Sequence, residues 1–371
     1  MRVIFLVVVL AFVPGACTKA PTPVTMHQED NVPARLSDWH LFTVDGDRFR
    51  PNDGVLPYDL NTPLFSDYAL KFRTVWMPAG EAARYDDERE FEFPPGTILS
   101  KTFHYRYSDA DSFQKLDAEA SLEPDGSLSI GKHRLVETRL LVHYESGWKA
   151  LPYVWNESQT DAFLEVAGAR FDFQFSHAGA GVEPFTYIVP DMNQCAACHV
   201  TDHTSKEIKP LGPRAHQLNR DFSYVTGAAN QIGHWVETGR LTGVSQPVPA
   251  SARWAERDHE TIDELARVYL DVNCAHCHNA RGAADTSALI LNRNADVDRK
   301  FGICKPPVAV GRGSGDRPYD IYPGNPDESI LLFRMQHDDP AIMMPELGRA
   351  VIHNEGVAVV RQWIAALPGD C

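Results

Sequence analysis

From Leu36 to Pro190 the apolar positions come in short runs of aromatic and β-branched residues. They are Leu70 to Trp76, Glu90 to Phe93, Thr97 to Tyr107, Arg134 to Tyr144, Trp148 to Trp155 and Phe163 to Phe175. Turn material separates them: Pro78-Ala79-Gly80, Pro94-Pro95-Gly96, Pro124-Asp125-Gly126 and Ser146-Gly147. Short strands at this spacing predict an antiparallel β-sandwich or barrel-like domain over residues 36–190, with polar Ser108 to Ser127 as a longer excursion. After Pro190 the period changes. Ala228 to Leu241 sets Ile232, Trp235, Val236 and Leu241 mostly along one helical face, and Pro247 and Pro249 then mark a boundary. Ile262 to Val272 repeats the helical pattern, Asp327 is placed to cap a helix running to Met335, and a last helix starts at His353 or Asn354. The pattern therefore predicts a multidomain chain: the β unit, a mainly α segment over 191–250, and an α-helical unit over 251–371.

Residues 1–17 read as an export signal. Arg2 gives a positive start, and the apolar run Val3 to Val13 is too short to span a bilayer. The run ends in Pro14-Gly15-Ala16-Cys17, small residues before a cysteine that resemble a bacterial lipoprotein processing site, with Cys17 the lipidated residue and residues 18–35 a tether. Pro14 stands where such sites usually carry Leu; the alternative is an ordinary cleaved signal. Either way the mature protein is exported, to the periplasm or the outer membrane, with no transmembrane span. A formal net charge of -15 argues against nucleic acid and would match a basic partner protein.

The chemistry lies in the cysteines. Cys274-Ala275-His276-Cys277-His278 has the spacing of a c-type haem attachment site, and Cys195-Ala196-Ala197-Cys198-His199 repeats it. Each cysteine of such a site adds across a haem vinyl group, and the following histidine is held under the iron. Cys195, Cys198, Cys274 and Cys277 would thus bind two covalent haems c, with His199 and His278 as axial ligands. A four-thiolate zinc site is the alternative, but it needs no histidine after each pair. Of seven cysteines, Cys304 and Cys371 remain, and an exported protein seldom keeps two free thiols, so they are expected to form a disulfide. Other candidates carry less. His104, His143 and His177 are lone histidines in strand patterns, Asp161 and Glu165 have no catalytic partner in sequence, and Trp76, Trp148 and Trp155 read as core. The run Gly311-Arg312-Gly313-Ser314-Gly315 lacks the ending of a phosphate loop. No catalytic residues are singled out.

In its last third the chain resembles a class I cytochrome c: a helix, the Cys-Xaa-Xaa-Cys-His site, a loop with Met before Pro, and a final helix carrying an aromatic. That resemblance implies that residues 251–371 are a cytochrome c-like domain and that His278 and Met344, before Pro345, bind the second iron from opposite faces. Met343 is the competitor, and Met335 reads as core. Residues 191–250 would then be the first haem-binding segment. The whole chain also resembles a family of exported bacterial di-haem c-type proteins, on Pro57-Tyr58-Asp59-Leu60-Asn61-Thr62-Pro63-Leu64-Phe65-Ser66-Asp67-Tyr68 and Glu137-Thr138-Arg139-Leu140-Leu141. A looser likeness, on Pro95-Gly96-Thr97 and Lys101, is to the β-sheet mono-haem cytochromes. These resemblances imply an electron-relay protein. The alternative is a haem enzyme or small-ligand binder, for peroxide or nitric oxide, with an open site at the first haem. For that haem's sixth ligand Met77, Met192, His203, His216 and His234 are candidates.

Overall fold

The structure is a computed structural model that describes residues 22–117, 122–177, 181–308 and 311–371. The export signal and Cys17 lie outside the described residues. At the centre stands a six-stranded antiparallel sheet in the spatial order Ala162–Leu164, Gly147–Trp155, His133–Tyr144, Ile98–Arg106, Leu70–Trp76, Leu56–Tyr58. Its middle strands are buried on both faces, which is why they read as nearly continuous apolar runs.

Alternation sorts the two faces. Phe72, Ile98, Leu140 and Val142 point one way, into a core with Leu36, Trp39, Phe49, Tyr153 and Trp155. Val75 and Leu99 point the other way and pack against Ala215, Leu218, Ile232, Trp235 and Leu241, from the chain after Pro190. Farther along that second face, Phe103 and Val136 join Phe175, Phe185 and Tyr187 of the Ala169–His177 and Gly181–Val189 hairpin. The second face is therefore closed partly by the Ala169–His177 and Gly181–Val189 hairpin and partly by the half of the chain that carries both Cys-Xaa-Xaa-Cys-His motifs.

This corrects the expected fold class. The described chain holds more strand than helix, spread over several sheets, and neither a mainly α haem-binding segment nor an α-helical cytochrome c domain is shown. Residues 191–250 contain only three short helices: α1 (Met192–His199), α2 (Ala215–Leu218) and α3 (Gln231–Glu237). They alternate with strand. Asp221–Tyr224 pairs with Gly227–Asn230, and Leu241–Thr242 lies parallel to Ala83–Arg84. The long helix expected over Ala228 to Leu241 is cut at both ends. Asn230 accepts a hydrogen bond from Gly233 N and starts the helix late, and Gly239, at φ +68°, sits just beyond its end. Residues 251–371 hold α4 (Ile262–Asn273), α5 (Ile330–Met335) and α6 (Asn354–Ala366), with mostly irregular backbone and 3-10 turns between α4 and α5. Asp327 does not cap α5; it lies in the preceding 3-10 turn, paired with Arg361 at 2.8 Å. Helices α4 and α6 do share a core through Leu265, Tyr269, Leu270, Val360, Trp363 and Ile364. Among the described residues no helix is long and apolar enough to cross a membrane.

Candidate haem-binding site

Helix α1 presents the first motif. Its N-terminus is closed by a reciprocal box, in which Asp191 accepts from Gln194 N and the Gln194 side chain accepts from Asp191 N. One turn later Cys195 is buried, Cys198 is half-buried, and His199 ends the helix. The second motif follows α4 directly. Cys274 takes its cap position, and the turn is held by Cys277 N to Cys274 O at 3.1 Å and His278 N to Cys274 O at 2.9 Å.

The two motifs, 79 residues apart in sequence, touch in space, because Cys277 Sγ lies 3.7 Å from Ala197 O. Next to that contact His203 N donates to Arg281 O at 2.8 Å, and Arg281 pairs with Asp202 at 3.2 Å. None of the four motif cysteines is paired in a disulfide.

Both motif histidines are oriented through Nδ1. That atom of His199 lies 2.7 Å from Lys209 O, and that of His278 lies 3.1 Å from Ser287 Oγ. Such a bond fixes the tautomer and leaves Nε2 as the atom that could ligate a metal. Burial pushes both imidazoles down to about 4, so each is neutral at pH 7, the form a metal needs. Burial likewise lifts the Cys274 thiol to about 12 and the Cys277 thiol to about 11. These four thiols and two histidines fit covalent haem better than a zinc centre, which would draw the thiols toward deprotonation and toward one another.

Two adjoining cavities open beside the motifs. One is bordered by Cys198, His199, Cys274, Tyr269, Met344 and Pro345. The other, the larger of the two, runs between His199 and the second face of the sheet. Met344 thus shares a cavity with Cys274. Its backbone is fixed by Met344 N to Arg334 O at 3.0 Å and by Arg349 Nη2 to Met344 O at 2.8 Å. Met343 is buried and borders neither cavity, and Met335 belongs to the α4/α6 core.

The five candidates for the sixth ligand of the first haem go elsewhere. Met77 packs with Trp235, Met192 packs beside the N-terminal core, His203 is exposed, His216 is buried within α2, and His234 stacks on Tyr224. None of them borders either cavity. Two other residues do, and the sequence reading passed over their role: His276 and Lys101 border both. His276 is the spacer residue of the second motif. Its Nδ1 is buried without a hydrogen-bond partner, and burial pushes the ring down to about 4. Its only sequence signal was a histidine inside the motif rather than after it.

Lys101 stands in a row of cations. On the second face the register aligns Arg73 with Lys101 and Lys101 with Arg139. Arg73 is paired with Asp59 at 2.6 Å; Arg139 is held by both oxygens of Glu137, at 2.6 and 2.8 Å. Glu137 is fully buried and also accepts from Tyr187 Oη at 2.6 Å. Burial, and next the neighbouring Arg139, push the Lys101 amine down to about 7.

Of the other sequence candidates, His104 is fully buried against His133, His143 stacks on Trp148 at 4.4 Å, and Asp161 accepts from Ser37. Cys304 and Cys371 lie at disulfide distance, with Sγ atoms 2.03 Å and Cα atoms 5.4 Å apart. One acidic cluster outside the motifs, Asp117, His353 and Glu355, could gather on a cation. Its atoms are already engaged: Trp254 and Arg257 hold Asp117, Tyr68 donates to Glu355, and the Tyr269 hydroxyl meets His353. No family model, curated protein or solved structure matches this chain.

Proposed function

We propose that this chain is a di-haem c-type cytochrome that relays electrons in the cell envelope, exported and lipid-anchored through Cys17, for a redox partner protein. The observation that carries the reading is the contact between the two attachment motifs, Cys277 against Ala197, in a fold that leaves all four thiols unpaired. Cys195 and Cys198 would hold one haem and Cys274 and Cys277 the other, with His199 and His278 presenting Nε2 and Met344 placed for the far side of the second. Bound there, haem supplies a one-electron couple. The chain's own part is to fix the imidazole tautomers, to bury the groups away from water and to hold the two motifs side by side. Intact mass of the denatured exported protein should exceed that of the polypeptide by two haems, and a Cys198→Ala, His199→Ala variant should carry one. Zinc with no haem would overturn the reading.

A second reading, a haem that binds a small ligand, is favoured by one finding: no methionine borders the cavity between His199 and the sheet. Carbon monoxide added to the reduced protein separates the two. A relay with both irons six-coordinate leaves the spectrum nearly unchanged, whereas an open first haem shifts its main absorption band.

A further inference from the structure

The row Arg73, Lys101, Arg139 is frustrated as it stands. Like charges directly opposite on neighbouring strands repel, and here three such groups sit side by side, Arg73 buried and Lys101 and Arg139 half-buried beside the cavities. The two outer members are neutralised by Asp59 and Glu137. The middle one is not, since Lys101 makes no hydrogen bond or ion pair with any described residue. Its Nζ lies 5.3 Å from the centroid of the Phe103 ring. Lys101 and Arg139 both border the two cavities that also receive His199, and Arg73 borders the larger one. The wall across that larger cavity includes Arg214, whose own charge is met by Asp271 at 3.3 Å. The site thus offers an amine with no hydrogen-bond partner among the described residues, which a bound anion would hold protonated, together with forked guanidinium neighbours and a cavity, the arrangement that a carboxylate or oxyanion satisfies.

We propose that Lys101, flanked by Arg73 and Arg139, is an anion-binding site beside His199 that takes a carboxylate or a small oxyanion. The inference rests on the di-haem reading only for one of its two sources of anion. A haem brings carboxylates of its own, in its propionates, and the alternative source is a free oxyanion reaching the first haem.

The test uses the exported holoprotein, its haem content fixed by mass, and the variants Lys101→Gln, Lys101→Met and Lys101→Arg. Inorganic phosphate is titrated calorimetrically, and both midpoint potentials are measured. A free-anion site gives saturable phosphate binding that weakens at least tenfold in the Gln and Met variants and returns in the Arg variant. A haem carboxylate gives no phosphate binding, but one potential falls in the Gln and Met variants while the other stays, because a cation that opposed the oxidised iron is lost. The proposal is overturned if phosphate binds saturably and Lys101→Gln leaves that binding unchanged, or if phosphate does not bind and neither potential responds to the Gln and Met variants. A preparation with no covalent haem would defeat the di-haem reading instead, and the phosphate titration on it would still decide whether the site binds anions.

Discussion

Met344 shows how a single side chain is selected once its surroundings are in place. Two methionines precede Pro345, but only Met344 borders the cavity that Cys274 enters, while Met343 turns into the protein. Thioether ligation stabilises reduced iron. Met344→Ala should therefore abolish the methionine–iron charge-transfer band at the red end of the oxidised spectrum and lower one midpoint potential, and Met343→Ala should leave both in place. Asp67 makes a different point. Its Oδ1 accepts from Ala350 N at 2.6 Å and Val351 N at 2.9 Å, tying the sheet half to the C-terminal half, yet burial lifts its carboxyl to about 6 from 3.8. A raised folded-state value means that ionisation costs more in the folded protein, so this contribution to stability is lost as the pH rises from about 4 to about 6. Asn at this position keeps the accepting oxygen and tolerates the left-handed backbone, φ +49°. Asp67→Asn should be neutral at about pH 4 and stabilising above about pH 6, by at most about 3 kcal/mol, read by urea unfolding at both pH values.

At the level of elements, α1 is eight residues long and too short to persist without its cap and its packing. Asp191→Ala removes the box and should cost about 1 kcal/mol, measured as a lower thermal midpoint, with reduced haem occupancy at the first motif alone. The helices that could be read ahead of the structure were those whose pattern and cap agreed. Ile262 to Val272 became α4, opened by Thr261, which accepts from Glu264 N, and the last helix begins at Asn354. The misread ones share a cause. Over Ala228 to Leu241 the apolar spacing is helical, but Asn230, Gly233 and Gly239 set local backbone states that the spacing does not register. Leu241 is then recruited as strand beside Ala83, a partner 158 residues earlier. Small strand pairs of this kind are decided by a distant edge, and periodicity carries no information about it.

Across the whole molecule, the sheet serves as a platform, and the half with the two Cys-Xaa-Xaa-Cys-His motifs covers part of its second face. The C-terminal tail is drawn back by Cys371 beside Cys304, closing a loop across a separation of 67 residues. Cys371→Ala should destabilise the protein by about 2–4 kcal/mol in denaturant unfolding without reductant, and peptide mapping under the same conditions should recover the linked pair; free thiols at both residues would remove the bridge. Several things about this protein were determined by sequence alone. The two Cys-Xaa-Xaa-Cys-His sites, the strand runs and the two leftover cysteines are local signals, fixed by covalent spacing or by a period of two, and they needed no partner to be visible. Tertiary structure alone decided that the two motifs meet at Ala197 and Cys277, that His276 turns toward the cavities, and that Arg73, Lys101 and Arg139 fall into one row beneath His199. Each of these depends on strand register and on which face of the sheet the second half of the chain covers. Register is set by cooperative packing between residues far apart in sequence, and no window along the chain contains it.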